Sequence, residues 1–149
     1  MKHKVFNSLF MIWLGLIMGA IISTVVIVVA LPAQATELRG FFEYIALSAS
    51  LMMIVASQLA YKMMLQKALQ ESILKEKITK LTSAVVIQGA LLEGGSLLCA
   101  MAYFLTQTMW VLGGSLACVF IMLLRTPTHQ RCVQDLELSQ QDLDDLEKM

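Results

Sequence analysis

Residues 80–125 read KLTSAVVIQGALLEGGSLLCAMAYFLTQTMWVLGGSLACVFIMLLR. Between the flanking Lys80 and Arg125 the only charged residue is Glu93. A helix needs about 20 mostly apolar residues to cross a hydrocarbon layer of about 30 Å, so this stretch is long enough to cross twice. Thr106-Gln107-Thr108 is the polar break between the crossings. The spacing predicts helices near 83–105 and 109–125, the second of them short. Strands would require an alternating pattern, and none runs here. Helices also satisfy their own backbone groups in lipid.

The same gaps in charge recur upstream. Residues 5–31 carry no charge, and residues 44–61 carry none, with Phe41 and Phe42 extending the second stretch to spanning length. The expected fold is therefore all-α, an integral membrane four-helix bundle with spans near 5–31, 41–61, 83–105 and 109–125. Composition agrees: of 149 residues 58% are apolar and 15% charged, against roughly a quarter charged in soluble domains. Lysines and arginines balance acids to a net charge of zero, which argues against a nucleic-acid partner, since phosphate neutralisation needs a basic surface.

Orientation follows from lysine and arginine. Lys2 and Lys4 precede the first helix, five lysines lie in 62–80, and Arg125, Arg131 and Lys148 follow the fourth. Only Arg39 falls on the opposite side. The distribution predicts a multi-pass protein of the inner (plasma) membrane with both termini cytoplasmic. Ala33-Gln34-Ala35 also resembles a signal-peptidase site, but the preceding apolar run is about twice a signal core, so an uncleaved span is the expectation.

Helices in lipid meet through small residues. Gly15, Gly19 and Ser23 recur every four residues on the first helix, Gly89 and Gly94 lie on the third, and Gly113 and Ala117 on the fourth. These are the predicted helix-packing positions, and they point to a compact bundle that forms a homo-oligomer or joins membrane-protein partners. At an offset of 75 residues, Leu16-Ile17-Met18-Gly19-Ala20 falls on Leu91-Leu92-Glu93-Gly94-Gly95. The match fits two duplicated helical hairpins or two apolar helices alike only in composition.

No glycine or proline occurs between Phe41 and Gln88, so the second helix is expected to run on beyond the membrane with Leu65, Leu69 and Ile73 as an apolar stripe. The basic cytoplasmic loop 62–80 has net charge +3 and the helical tail 129–149 net −4. The loop either fixes topology or grips anionic lipid. Thr126-Pro127 reads as a cap and first-turn proline, and Ser139 to Asp142 as a second helix start. The acidic cytoplasmic helical tail is expected to dock on the basic segment or on a cytoplasmic partner.

Glu93 is the residue that composition does not explain. A charged side chain at mid-span costs at least ~2.5 kcal/mol. Counted by helical turns, Val86, Gly89, Ala90, Ser96, Leu97 and Ala100 share its face, which is mostly small and admits a neighbouring helix. Desolvation favours the protonated carboxyl, the condition for a proton- or ion-binding group. Ser48 and Ser50 of the second helix are expected at a depth where they could bond to it. The alternative is a permanently protonated Glu93 that joins helices.

The segment Ala90-Leu91-Leu92-Glu93-Gly94-Gly95, followed by Tyr103-Phe104-Leu105-Thr106, resembles the Glu-bearing helices of the proteolipid (c) subunits of rotary ATPases. The chain also resembles a group of small bacterial four-helix membrane proteins that share the Ala-Leu-x-Glu-Gly helix and a Pro-containing acidic tail. The first resemblance implies Glu93 as an ion carrier.

Other chemistries find no support. Cys99, Cys118 and Cys132 form no Cys-x-x-Cys pair, and Cys99 and Cys118 are expected at different depths. His3 and His129 are far apart in sequence, so no metal site is expected. No nucleophile elbow or phosphate-binding glycine loop occurs. Eleven methionines read as packing residues. No cofactor and no enzymatic activity are expected. The leading expectation is a non-catalytic membrane subunit, with a proton- or ion-translocating subunit as the alternative.

Overall fold

The computed structural model describes residues 4–30, 40–71 and 73–136. Ala33-Gln34-Ala35, Arg39 and the second tail helix expected after Ser139 lie outside the described residues. Every regular element among those described is helical: α1 (Lys4–Ala30), α2 (Phe41–Leu69), α3 (Leu74–Thr106), a 3₁₀ turn (Met109–Val111), α4 (Leu112–Leu124) and α5 (His129–Asp135). Three of these, α1 to α3, are long and apolar enough to cross a membrane, compatible with a multi-pass membrane protein. The fourth apolar segment, Met109–Leu124, is shorter. At about 1.5 Å per residue it falls short of the roughly 30 Å hydrocarbon thickness.

The ends of these helices follow their local chemistry. Gly40 precedes α2 at φ 92, a left-handed conformation that costs glycine little. With no helix breaker to stop it, α2 continues to Leu69 and α3 begins at Leu74. The basic segment 62–80 is therefore mostly the facing ends of two helices around a short connection. Lys80 bonds to Glu71 across that connection. The bond holds the Glu71 carboxyl below its usual range, with Glu76 adding to the effect. At the other end, α3 stops where Gln107 turns left-handed at φ 57 and donates its N–H to Tyr103 O at 2.8 Å, so the polar break falls where the sequence places it.

The start of the tail differs from expectation. Thr126 does not cap α5; its hydroxyl and its N–H both bond back to Leu123 O, closing the last turn of α4. Thr128 takes the cap position, and α5 begins at His129, two residues later than the proline suggests.

α3 is the central helix. Half of its apolar stretch is buried, against 22% for α1 and 17% for α2. α1 runs parallel to it, with Gly19 against Glu93 and Gly89 against Trp13 and Leu16. Residues aligned by the offset of 75 thus lie at nearly the same level. α2 and α4 run antiparallel to α3, with Gly95 beside Ser50, Met53 and Cys118, and Cys99 beside Gly114. We call the end at which α1 and α3 begin the basal end and the opposite one the apical end. The main core lies basally, built on Leu9, Trp13, Leu81, Val85, Leu92 and Met122 and sealed by Cys132 and Leu136 of the tail. Ala46, Cys99, Ala102 and Val111 form a smaller apical core.

Candidate functional site

Glu93 lies near the middle of α3, partly exposed, on the side that faces α1. A Cβ added at Gly19 would fall 2.9 Å from Glu93 Oε1. Hydrogen at that position is what lets the carboxyl lie against the α1 backbone. Among the described residues no hydrogen bond or ion pair reaches the carboxyl. The next residue, Gly94, meets Met53 of α2 at 3.6 Å from its added Cβ, so Glu93 stands where α1 and α2 flank α3.

α3 keeps one face open beside it. Ile87, Ala90, Leu98 and Met101 recur at helical spacing and are all exposed. Glu93 and Gly94 sit at the edge of that stripe, partly exposed themselves. The face predicted to surround Glu93 therefore divides: Gly89, Ser96 and Ala100 are buried, whereas Ala90 is exposed.

The two serines expected near the carboxyl are elsewhere. Ser48 is exposed and donates to Ile45 O in its own helix at 3.0 Å. Ser50 is buried and lies 3.4 Å from Cys118 Sγ. Both miss Glu93 because the α2 face that meets α3 carries Ala46, Ser50 and Met53 toward Cys99 and Gly95, whereas the carboxyl points toward α1.

One turn beyond Glu93 lies a hydroxyl cluster that sequence reasoning did not find. Ser96 Oγ and Ser115 Oγ are 2.7 Å apart, Thr24 Oγ1 is 3.1 Å from Ser115 Oγ, and Thr24 Oγ1 is 3.5 Å from Ser96 Oγ. Thr24 also donates to Ala20 O at 2.8 Å. The trio joins α1, α3 and α4 through neutral hydrogen bonds. Its only sequence signal is small polar residues at span depth, a pattern that also fits Ser48. At the apical end, buried Glu43 accepts a 2.5 Å bond from Thr108 Oγ1.

The predicted packing positions separate into two groups. Gly19, Gly89 and Gly94 face other helices, and Ser23 bonds to Gly19 O within α1 at 2.6 Å. Gly15 and Gly113 have nothing within 4 Å of an added Cβ, and Ala117 is exposed. Gly95 and Gly114 lie outside the predicted set, yet both make close approaches; an added Cβ at Gly114 would come 2.5 Å from Cys99 Sγ. The register of α3 on α4 sets Cys99 and Cys118 one turn apart, and all three cysteines are free. Among the described residues no group of three metal-ligating side chains occurs.

The basal end holds a second polar constellation. α5 folds against α2, with the Tyr61 hydroxyl donating to Asp135 Oδ2 at 2.5 Å. Arg131 Nε lies 4.0 Å from the same oxygen. Cys132 is buried on the inward face of α5, and burial, reinforced by the Asp135 charge, pushes its thiol up to about 11. Trp13 closes the core from α1 by donating its indole N–H to Met122 O at 3.0 Å. No protein-family model, curated protein or solved structure matches the chain.

Proposed function

We propose that the protein is a non-catalytic, multi-pass subunit of the inner membrane that assembles with itself or with other membrane proteins through the open face of α3. The observation that supports this reading is the Ile87, Ala90, Leu98, Met101 stripe with the unbonded carboxyl of Glu93 at its edge. An intramembrane acid without an internal partner is costly unless it is protonated or another chain covers it. A helix seated on the stripe could supply a hydroxyl or amide, and such bonds contribute about 0.6 kcal/mol on average in membrane proteins. Exposed Gly113 and Ala117 offer a further close approach. In this reading four helices cross the bilayer, the short fourth included, and both termini are cytoplasmic.

The test is the particle formed in mild detergent. Multi-angle scattering on purified full-length protein should report an oligomer or a stoichiometric complex, and Ala90→Trp on the stripe should dissociate it. A lone monomer at all concentrations, with no co-purifying subunit, overturns the reading.

A second reading makes Glu93 a proton or cation carrier, as its resemblance to rotary-ATPase proteolipids implies. The nearby Thr24, Ser96 and Ser115 hydroxyls favour it, since they could relay a proton one turn along α3. Glu93→Gln separates the two readings. Assembly survives the amide, whereas ion- or proton-linked activity and carbodiimide labelling at that position do not.

A further inference from the structure

The basal end of the bundle contains a narrow pocket between α2, α3, α4 and α5, its enclosed part just wide enough for a single oxygen atom and its mouth open to solvent. Tyr61, Gln88, Arg125, Arg131 and Asp135 supply its polar lining. Gln88 is 3% exposed, and its Nε2 is the one buried side-chain polar atom among the described residues that has no hydrogen-bond partner. A buried donor left unbonded is costly, and native structures satisfy nearly all such groups with protein, water or ligand.

The charges around that amide are not balanced within the protein. Asp135 is already engaged by the Tyr61 hydroxyl and by Arg131, and Arg131 also donates to Leu124 O at 3.4 Å. Arg125 has no bonding partner among the described residues. One free guanidinium and one orphan amide nitrogen therefore converge on the same opening, and both can only donate. Arg125 is exposed at the mouth, so a group that reaches both must accept hydrogen bonds, and negative charge on it would pair with the guanidinium. Arg125 immediately follows the last turn of α4, the level of the bilayer's headgroup phosphates if the helices span as proposed. Guanidinium groups match phosphate geometry with paired donors, and basic pockets at this level hold lipid headgroups.

We infer that this pocket binds a phosphate oxyanion, with one oxygen reaching Gln88 Nε2 and the charge held by Arg125 and Arg131. The depth argument rests on the membrane-spanning reading above. The phosphate belongs either to a lipid headgroup or to a free ion, and the two sources are separable.

The experiment follows the melting midpoint of full-length protein in dodecyl maltoside. It titrates dioctanoyl phosphatidylglycerol, dioctanoylglycerol and inorganic phosphate at constant ionic strength. A saturable rise with the phospholipid and none with dioctanoylglycerol is expected. Arg125→Gln and Gln88→Leu should each raise the half-saturating concentration at least about tenfold, the range of a lost charge-assisted bond. Gln134→Ala, at an exposed position of α5 outside the pocket lining, should leave it unchanged. Gln88→Leu also removes the orphan donor, so the unliganded variant should melt no lower than the parent.

An equal rise with inorganic phosphate assigns the site to a free ion, and a rise with the phospholipid alone assigns it to a headgroup. No saturable rise with either, or a rise undiminished in both variants, overturns the inference. An alkaline carbonate wash of the membranes keeps the two readings apart. Release of the protein refutes the spans, whereas a protein that stays in the pellet but shows no response refutes only the pocket.

Discussion

Ser96 and Glu93 are one helical turn apart on α3, yet their surroundings are opposite in kind. Ser96 lies in a closed neutral network with Thr24 and Ser115. Glu93 rests on a bare glycine of α1 without a hydrogen bond among the described residues. The hydroxyls hold three helices together and direct their O–H donors at one another and at Ala20 O. The carboxyl contributes nothing comparable to the monomer and remains available to a proton, an ion or another chain. Within one turn, the same helix carries a structural polar group and an unspent one.

Substitutions should break this contrast in graded steps. Trp13→Ala removes a fully buried indole and its bond to Met122 O. It should cost about 3–5 kcal/mol in detergent unfolding by separating α1 from α4 below both groups. Gly89→Ala puts a methyl 2.5 Å from Leu16 Cδ1 and 3.1 Å from the Trp13 ring. A loss of about 1–3 kcal/mol is expected. Ser115→Ala removes the member of the trio with the two shorter bonds, and should cost about 0.6–1.7 kcal/mol in the same assay.

Gly19→Ala should cost less than Gly89→Ala, because its added methyl meets only the mobile end of the Glu93 side chain. That variant should instead displace the carboxyl, read as a changed rate of carbodiimide labelling. Glu93→Gln should be the smallest change of all, shifting unfolding by less than about 0.5 kcal/mol. A loss comparable to that of Ser115→Ala would mean the carboxyl is as structurally engaged as the hydroxyls, and the contrast would collapse.

The tail gives a pH-dependent check outside the contrast. Folding raises the Cys132 thiol from 9.0 to about 11, so the neutral thiol is the form that the docked α5 favours. Its contribution to stability is complete below about pH 9 and is lost as pH rises through about 11. Maleimide should label Cys132 slowly at pH 8, and Tyr61→Phe, which releases Asp135, should accelerate the labelling. Equal rates in the two proteins would show that the Tyr61 bond does not hold α5 down.

The gaps in charge made the helices readable, since a stretch such as 5–31 leaves no other use for so many apolar residues. The turn at Gln107 and the length of α2 were readable as well, from polar and glycine-proline punctuation. Which face of each helix turns inward was not. A soluble helix advertises its buried side by a polar opposite side, but here apolar residues surround each helix, and exposed Leu51, Met52 and Val55 look no different in sequence from buried Leu92. Ser48 and Ser50 were therefore equal candidates for Glu93, although only Ser50 points inward, and it turns toward Cys118. Gln88 carried a faint signal, one amide in an apolar run. Its lack of a partner depends on how α5 residues line the basal pocket around it, which the apolar run does not encode.

The placement of Trp13 makes the protein its own optical probe. The chain has two tryptophans; Trp13 is 0% exposed and Trp110 is 49% exposed beside Tyr44. In a Trp110→Phe background, the remaining emission should be blue-shifted and resistant to aqueous quenchers while α1 and α4 stay joined. A red shift would then time the parting of the basal core, with no external dye on either helix.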